Sequence, residues 1–403
     1  MNTQRLKHIK TLFTREGYHA LVCRISEHVL MFTGYQPILG NSFCIISLND
    51  EHEPEVRLAV PVDEQDLVPP DAAIEVKTFA EETMDHIGTT LDAAREPLGE
   101  LLRSAGLSAN AIIGIEGGRA PIIPAYTQTG IPGPETRHLL HMLLLGGEVR
   151  DASSLLQELA SIKTREELAA IRRSETVALQ GFVAARRAIH VGATEADVAA
   201  ATCAALLHAG YTAPGAHHVQ PAVHVMTGSR AALAYRAFNL TSNAAIQRGD
   251  TVTVQMEIGI NGYWAELTRT FFAETISDEW RKAHQTCVAA QDAALKLIRD
   301  GARARDIDGA ARQVMQQAGF GPFFKHGSGH GLGLQAINHS ALPVLHPASQ
   351  DILHAGMVHN LEPAVYIDGK GGLRLNDNVA VQTNGCEVLS SALSRDLDWL
   401  AVK

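Results

Sequence analysis

The stretch Asp250–Phe272, DTVTVQMEIGINGYWAELTRTFF, sets two runs rich in β-branched and aromatic residues on either side of Asn261-Gly262. Asn-Gly between strand-like runs signals a two-residue type I′ turn, because both residues tolerate the positive φ such a turn needs. The turn sets the register. If Ile260 and Tyr263 close the loop, Gly259 faces Trp264, Ile258 faces Ala265, and Glu257 lies opposite Glu266. Opposed residues hold their Cβ atoms roughly 4.5–5.5 Å apart, where like charges repel. Thr253, Gln255, Thr268 and Thr270 share the glutamates' face, whereas Val252, Val254, Met256, Leu267 and Phe271 take the other, with Arg269 as its polar exception. One face reads as core. The other reads as the floor of a polar site in which a cation or a shared proton holds the two carboxylates. The plain alternative is a solvated face with the glutamates splayed apart in water.

At 403 residues the chain is long enough for two domains. Its apolar fraction of 46% and charged fraction of 19% are those of an ordinary globular protein. A net charge of −10 without any Lys/Arg-rich run argues against nucleic acid and anionic membrane as partners. Met1–Phe13 lacks the apolar segment of a signal peptide, and no apolar run is long enough to span a bilayer, so a cytoplasmic location is expected. Five scattered cysteines without C-x-x-C spacing are neither a disulfide framework nor a zinc site.

From Thr3 to about Gly147, apolar segments of helical and strand periodicity alternate, as in a mixed α/β domain. A helix is expected over Leu6–Glu16, strands over Ala20–Arg24 and Ser42–Leu48, and a helical segment from Thr83 to Ala105. A long helix over Glu166–Ile189 opens something different, and the domain division is placed at 152/153. The second part contains a repeat: Gly192–Tyr211 aligns with Gly301–Phe320 without a gap, each following an apolar helix and preceding a proline. A duplicated α/β half would bring a pseudo-symmetric pair of units to one central site.

Three further segments carry chemistry-bearing residues. His326-Gly-Ser-Gly-His330-Gly-Leu-Gly-Leu334 is dense in glycine, which permits close backbone approach and unusual φ around its two histidines. Glu362 precedes Pro363 and is therefore extended, at a strand end. In Gly371–Val381 the alternation puts Arg374, Asn376 and Asn378 on one face and Leu375, Asp377 and Val379 on the other. His217, His218 and His224 lie in a loop after Pro214 and read as exposed loop residues, with closure over a substrate as the alternative.

Together these motifs resemble the pita-bread superfamily, which includes methionine aminopeptidase, Xaa-Pro aminopeptidase, prolidase and creatinase. The resemblance implies a small N-terminal α/β domain of the creatinase N-terminal kind over residues 1–152. A duplicated pita-bread α/β catalytic domain would follow over 153–403, the whole assembling as a homodimer. Metallopeptidase members hold two divalent ions through two aspartates, a histidine and two glutamates. By resemblance these fall on Glu257, Glu266, His330, Glu362 and Asn376. Asn376 thus offers a neutral amide where those members carry a bridging glutamate, and Phe238 stands where they carry a proton-shuttling histidine.

The leading expectation is a hydrolase of C–N bonds in a small nitrogen compound such as an amidine, cyclic amide or modified amino acid. Glu257, Glu266, His330 and Glu362 would be catalytic, with Arg374, Asn376, His326 and Phe238 around the substrate and no full dinuclear centre. The alternative is an Xaa-Pro aminopeptidase or dipeptidase acting on short peptides, with a single Mn²⁺ or Zn²⁺ on Glu266, His330 and Glu362. A third reading is a non-catalytic relative that binds a ligand without turnover.

Overall fold

The computed structural model describes residues 3–70, 73–117, 134–236, 240–335, 338 and 340–403. Within them the chain divides into two compact units whose division falls at Ala160/Ser161. The break is at the end of a short helix rather than before it, eight residues after the expected 152/153.

The first unit runs α1 (Thr3–Glu16), β1 (Ala20–Cys23), α2 (Ser26–Thr33), β2 (Phe43–Leu48), β3 (Pro54–Pro61), β4 (Ile74–Phe79), β5 (Glu82–Thr83), β6 (His86–Ile87), α3 (Thr90–Ser104), β7 (Ile112–Ile115), α4 (Pro134–Leu144), β8 (Glu148–Asp151) and α5 (Ser153–Ser161). Six strands form one mixed sheet in the order β4-β3-β2-β1-β7-β8. Strand alternation sends Ala20 and Val22, Phe43 and Ile45, and Ile113 and Ile115 to one face, where Leu98, Leu101 and Leu102 of α3 and Leu139 and Leu140 of α4 cover them. The helix expected from Thr83 begins only at Thr90. The Thr89 hydroxyl caps it by accepting the Asp92 N–H at 3.3 Å, and Glu82–Ile87 forms a small hairpin instead.

The second unit runs α6 (Arg165–Ala188), α7 (Glu195–Thr212), β9 (Val219–Thr227), β10 (Thr251–Ile260), β11 (Tyr263–Ala273), α8 (Asp278–Leu295), α9 (Ala304–Gln317), β12 (Val358–Leu361), β13 (Ala364–Ile367), β14 (Gly371–Arg374), β15 (Asp377–Gln382), β16 (Gly385–Val388), α10 (Leu397–Leu400) and β17 (Ala401–Val402). Strands β17-β11-β10-β9 form one sheet and β12-β15-β16 another. The repeat is visible as two helix pairs, α6/α7 and α8/α9. Its first copy is capped by a reciprocal box between Thr194 and Asp197, whereas Arg303 opens the second without a side-chain cap.

The β10–β11 hairpin has the register read from its turn. Glu257 pairs with Glu266, Gly259 with Trp264, and Ile260 with Tyr263, while Asn261 and Gly262 take φ of 51° and 81°. Its apolar face, with Val252, Val254, Met256, Leu267 and Phe271, joins Phe182 of α6 and Leu206 of α7 in the main core.

Candidate active site

The polar face of that hairpin is not solvated: Glu257 is fully buried and Glu266 only 2% exposed. Gln255, on the same face, donates its amide to Glu257 Oε1 at 2.6 Å. On the neighbouring strand β9, His224 Nε2 stands 3.6 Å from Glu257 Oε2. His224 is not in the loop expected after Pro214. It lies on β9 opposite Gln255, so strand pairing aims it at the site. His217 remains exposed, and the backbone N–H groups of His217 and His218 donate to Asn261 Oδ1.

His330 reaches Glu266 from the glycine-rich segment, with Nε2 at 3.6 Å from Oε2. That segment lies flat against the strand end that holds Glu362. Asn360 N–H donates to His330 O at 3.0 Å, and Glu362 N–H donates to Ser328 O at 2.8 Å. A Cβ on Gly329 would come within 2.1 Å of Asn360 O, so close approach explains this glycine; its φ is ordinary. Asn360, which the sequence reading passed over, ties the two parts together. Its Oδ1 accepts the His330 N–H at 2.6 Å, and its Nδ2 lies 3.4 Å from Glu266 Oε1 and 3.3 Å from His330 Nε2. The available signal was a polar residue two before Glu362, on the same face of an apolar strand.

Beyond Pro363 the chain returns as β14, and Arg374 enters the site at its end. Arg374 Nη1 lies 3.5 Å from Glu362 Oε2, and Nη2 donates to Gln255 Oε1. His326 Nδ1 is 4.0 Å from Glu362 Oε1, and its Nε2 is 3.0 Å from the Tyr366 hydroxyl. Asn376 donates to Glu266 Oε1 at 3.3 Å, while Asn378 braces the Glu266 backbone from both sides, donating to its carbonyl at 2.7 Å and accepting its N–H at 3.0 Å. Phe238 lies outside the described residues.

Burial sets the protonation of the cluster. It pushes both glutamates upward from the usual carboxylate range, with the charges of Glu362 and Glu257 adding to the rise at Glu266. It pushes His330 and His326 downward, towards neutral imidazole at neutral pH. Glu257 Oε2, Glu266 Oε2, Thr268 Oγ1, Asn376 Oδ1 and Arg374 Nε have no hydrogen-bond partner among the described residues. Open oxygens beside one open guanidinium N–H at the bottom of a buried site invite a ligand that carries both donors and an acceptor.

The description "Metallopeptidase family M24" fits residues 169–383 of this sequence, more than half of the chain. The chain belongs to that family. The Xaa-Pro dipeptidase of Pyrococcus furiosus is 28% identical over 60% of this chain and 67% of its own length. The putative dipeptidase YkvY of Bacillus subtilis is 26% identical over 61% and 64%. The sequence likeness therefore spans about two thirds of either relative. The crystal structure of the prolidase from Pyrococcus horikoshii superposes with a TM-score of 0.76 at 22% identity, covering 96% of this chain and 98% of that one. The pita-bread fold and its preceding α/β domain are thereby established, and this M24 chain is a hydrolase.

Membership of M24 implies divalent metal chemistry. Among the described residues, the side chains in this site do not fit a divalent centre. Glu266, His330 and Glu362, the set expected to hold one ion, do not stand as a cage. Among the described residues, no three His, Cys, Asp or Glu side chains converge in a way that could hold a metal. Amide groups and a guanidinium point their N–H groups at the carboxylates instead.

Proposed function

We propose that this chain hydrolyses an amide C–N bond in substrates the size of a dipeptide, with Xaa-Pro dipeptides as the substrate class. The relatives' names weigh towards peptides and reorder the two readings that the sequence left open. The observation that carries the chemistry is the buried pair Glu257 and Glu266, opposed across the hairpin and each with an unpartnered Oε2 among the described residues. Two close carboxylates with raised pKa values share protons, so one is ionised while the other keeps its proton. The ionised carboxylate takes a proton from water as the oxygen attacks the carbonyl carbon. The protonated one gives its proton to the departing nitrogen, which a proline nitrogen needs in order to leave. Neutral His330 orients Glu266, Glu362 supports the cationic end of the substrate, and Arg374 Nε receives its carboxylate.

A second reading keeps the same acid and base but takes a small amidine or cyclic amide. It is favoured by Asn376, whose Oδ1 is open to an N–H of a cationic nitrogen among the described residues. Proline release from Ala-Pro and Met-Pro, compared with turnover of a panel of amidines and lactams, separates the two. Proline release that falls at least about 100-fold in Glu266→Gln supports the peptide reading. No release from any Xaa-Pro substrate, with amidine turnover present, replaces it with the second.

A further inference from the structure

The donor chemistry around the three carboxylates bears on more than substrate choice. Glu257 Oε1 accepts the Gln255 amide at 2.6 Å. Glu266 Oε1 faces the amide nitrogens of Asn376 and Asn360 at 3.3 and 3.4 Å. Glu362 faces the Arg374 guanidinium at 3.5 Å and His326 at 4.0 Å. Arg374 also donates to Gln255 Oε1, which fixes the Gln255 amide with its N–H side towards Glu257.

We infer that this site takes no divalent ion, because an amide or guanidinium N–H group already faces one oxygen of each of the three carboxylates that a cation would have to draw together. A bound Mn²⁺ or Zn²⁺ needs four or more donors converging at about 2.0–2.2 Å, all presenting lone pairs. Here each carboxylate already spends an oxygen on a donor, and the positive end of that N–H repels a cation placed beside it. Asn376 is the residue that decides the matter. A glutamate there would present two oxygens and a negative charge to the same spot, whereas the amide presents an N–H to Glu266. Arg374 then supplies the positive charge that three buried carboxylates require. The inference goes beyond the substrate assignment and does not depend on it.

The test is metal binding by the full chain, dialysed into metal-free buffer and titrated calorimetrically with MnCl₂, with melting temperature followed in Mn²⁺ and in EDTA. Manganese is the probe because most of the chain's nineteen histidines lie outside the site and would take up zinc. No binding heat up to about 1 mM and a melting shift below about 1 °C are expected. One ion per chain bound with a Kd below about 100 µM, or one surviving dialysis, overturns the inference. Asn376→Glu is expected to gain at least about tenfold in Mn²⁺ affinity and to melt higher in its presence. A folded Asn376→Glu that gains nothing overturns the assignment to that residue. Peptide turnover is scored in the same preparations. Proline release abolished by EDTA overturns the inference and leaves the peptide reading standing. Absent release with absent binding supports the inference and removes the peptide reading.

Discussion

Two buried arginines show how differently the two faces of one hairpin use charge. Arg269, on the core face, is fully buried and gives every N–H to an acceptor. Its partners are Ser394 O at 3.0 Å, Thr268 O and Asn376 O at 2.9 Å each, Asp377 Oδ1 at 2.7 Å and Leu393 O at 3.0 Å. Asp377 is completed by Ser390 at 2.6 Å and Gln291 at 2.9 Å. Arg374, on the site face, leaves Nε open and stands near Glu257 and Glu266, whose Oε2 atoms have no hydrogen-bond partner within the described residues. Strand alternation sends Asn376 and Asp377, one residue apart, into these two environments. A saturated buried ion pair fixes the fold. An unsaturated one is tolerated where a ligand completes it.

The largest expected effect lies in the saturated cluster. Arg269→Met removes five hydrogen bonds and leaves Asp377 charged in the core, which should lower unfolding free energy by about 3–5 kcal/mol in urea titrations. A loss under about 1 kcal/mol would erase the contrast between the two clusters. Glu266→Gln should do the reverse: turnover falls at least about 100-fold, while stability holds or rises because a buried ionisable group has become neutral. A stability loss comparable with that of Arg269→Met would mean that the site face, too, is structural. Arg374→Lys keeps the charge and gives up the planar fork. It should raise KM about tenfold with a smaller change in kcat, read from initial rates on whichever substrate is turned over.

Much of this was legible in the sequence, for reasons that differ from residue to residue. Asn261-Gly262 fixed the hairpin register because only one pairing follows from a two-residue turn, and the opposed glutamates came with it. Alternation correctly separated Arg374, Asn376 and Asn378 from Asp377. Asn360 was missed because it makes its contacts through tertiary approach of the glycine-rich segment, which has no local period. His224 reads as a loop residue after Pro214, but the loop ends at Val219; β9 sits at the sheet edge, where its own Pro221 is tolerated. The start of α3 was set seven residues early, since apolar periodicity does not reveal the Thr89 cap.

The smallest expected effect sharpens the comparison from a third side. Glu175, on α6, is 3% exposed, and neither of its carboxylate oxygens has a hydrogen-bond partner among the described residues. Burial raises its pKa well above the ordinary value, the Asp377 charge raises it further, and Arg269 only partly offsets the two. Because the folded pKa exceeds the unfolded one, the native state holds a proton that the unfolded chain releases. Stability is therefore full below the unfolded carboxylate value of about 4.3 and falls as pH rises through the folded pKa, by at most about 1.4 kcal/mol per pH unit for one proton. Glu175→Gln keeps the shape without the titration. Its melting temperature should match the parent near pH 4 and exceed it by a growing margin towards pH 8. A constant difference across that range would mean that Glu175 is already ionised and that Arg269 serves two carboxylates, so the core-face cluster would be less self-contained than its bonds to Asp377 imply.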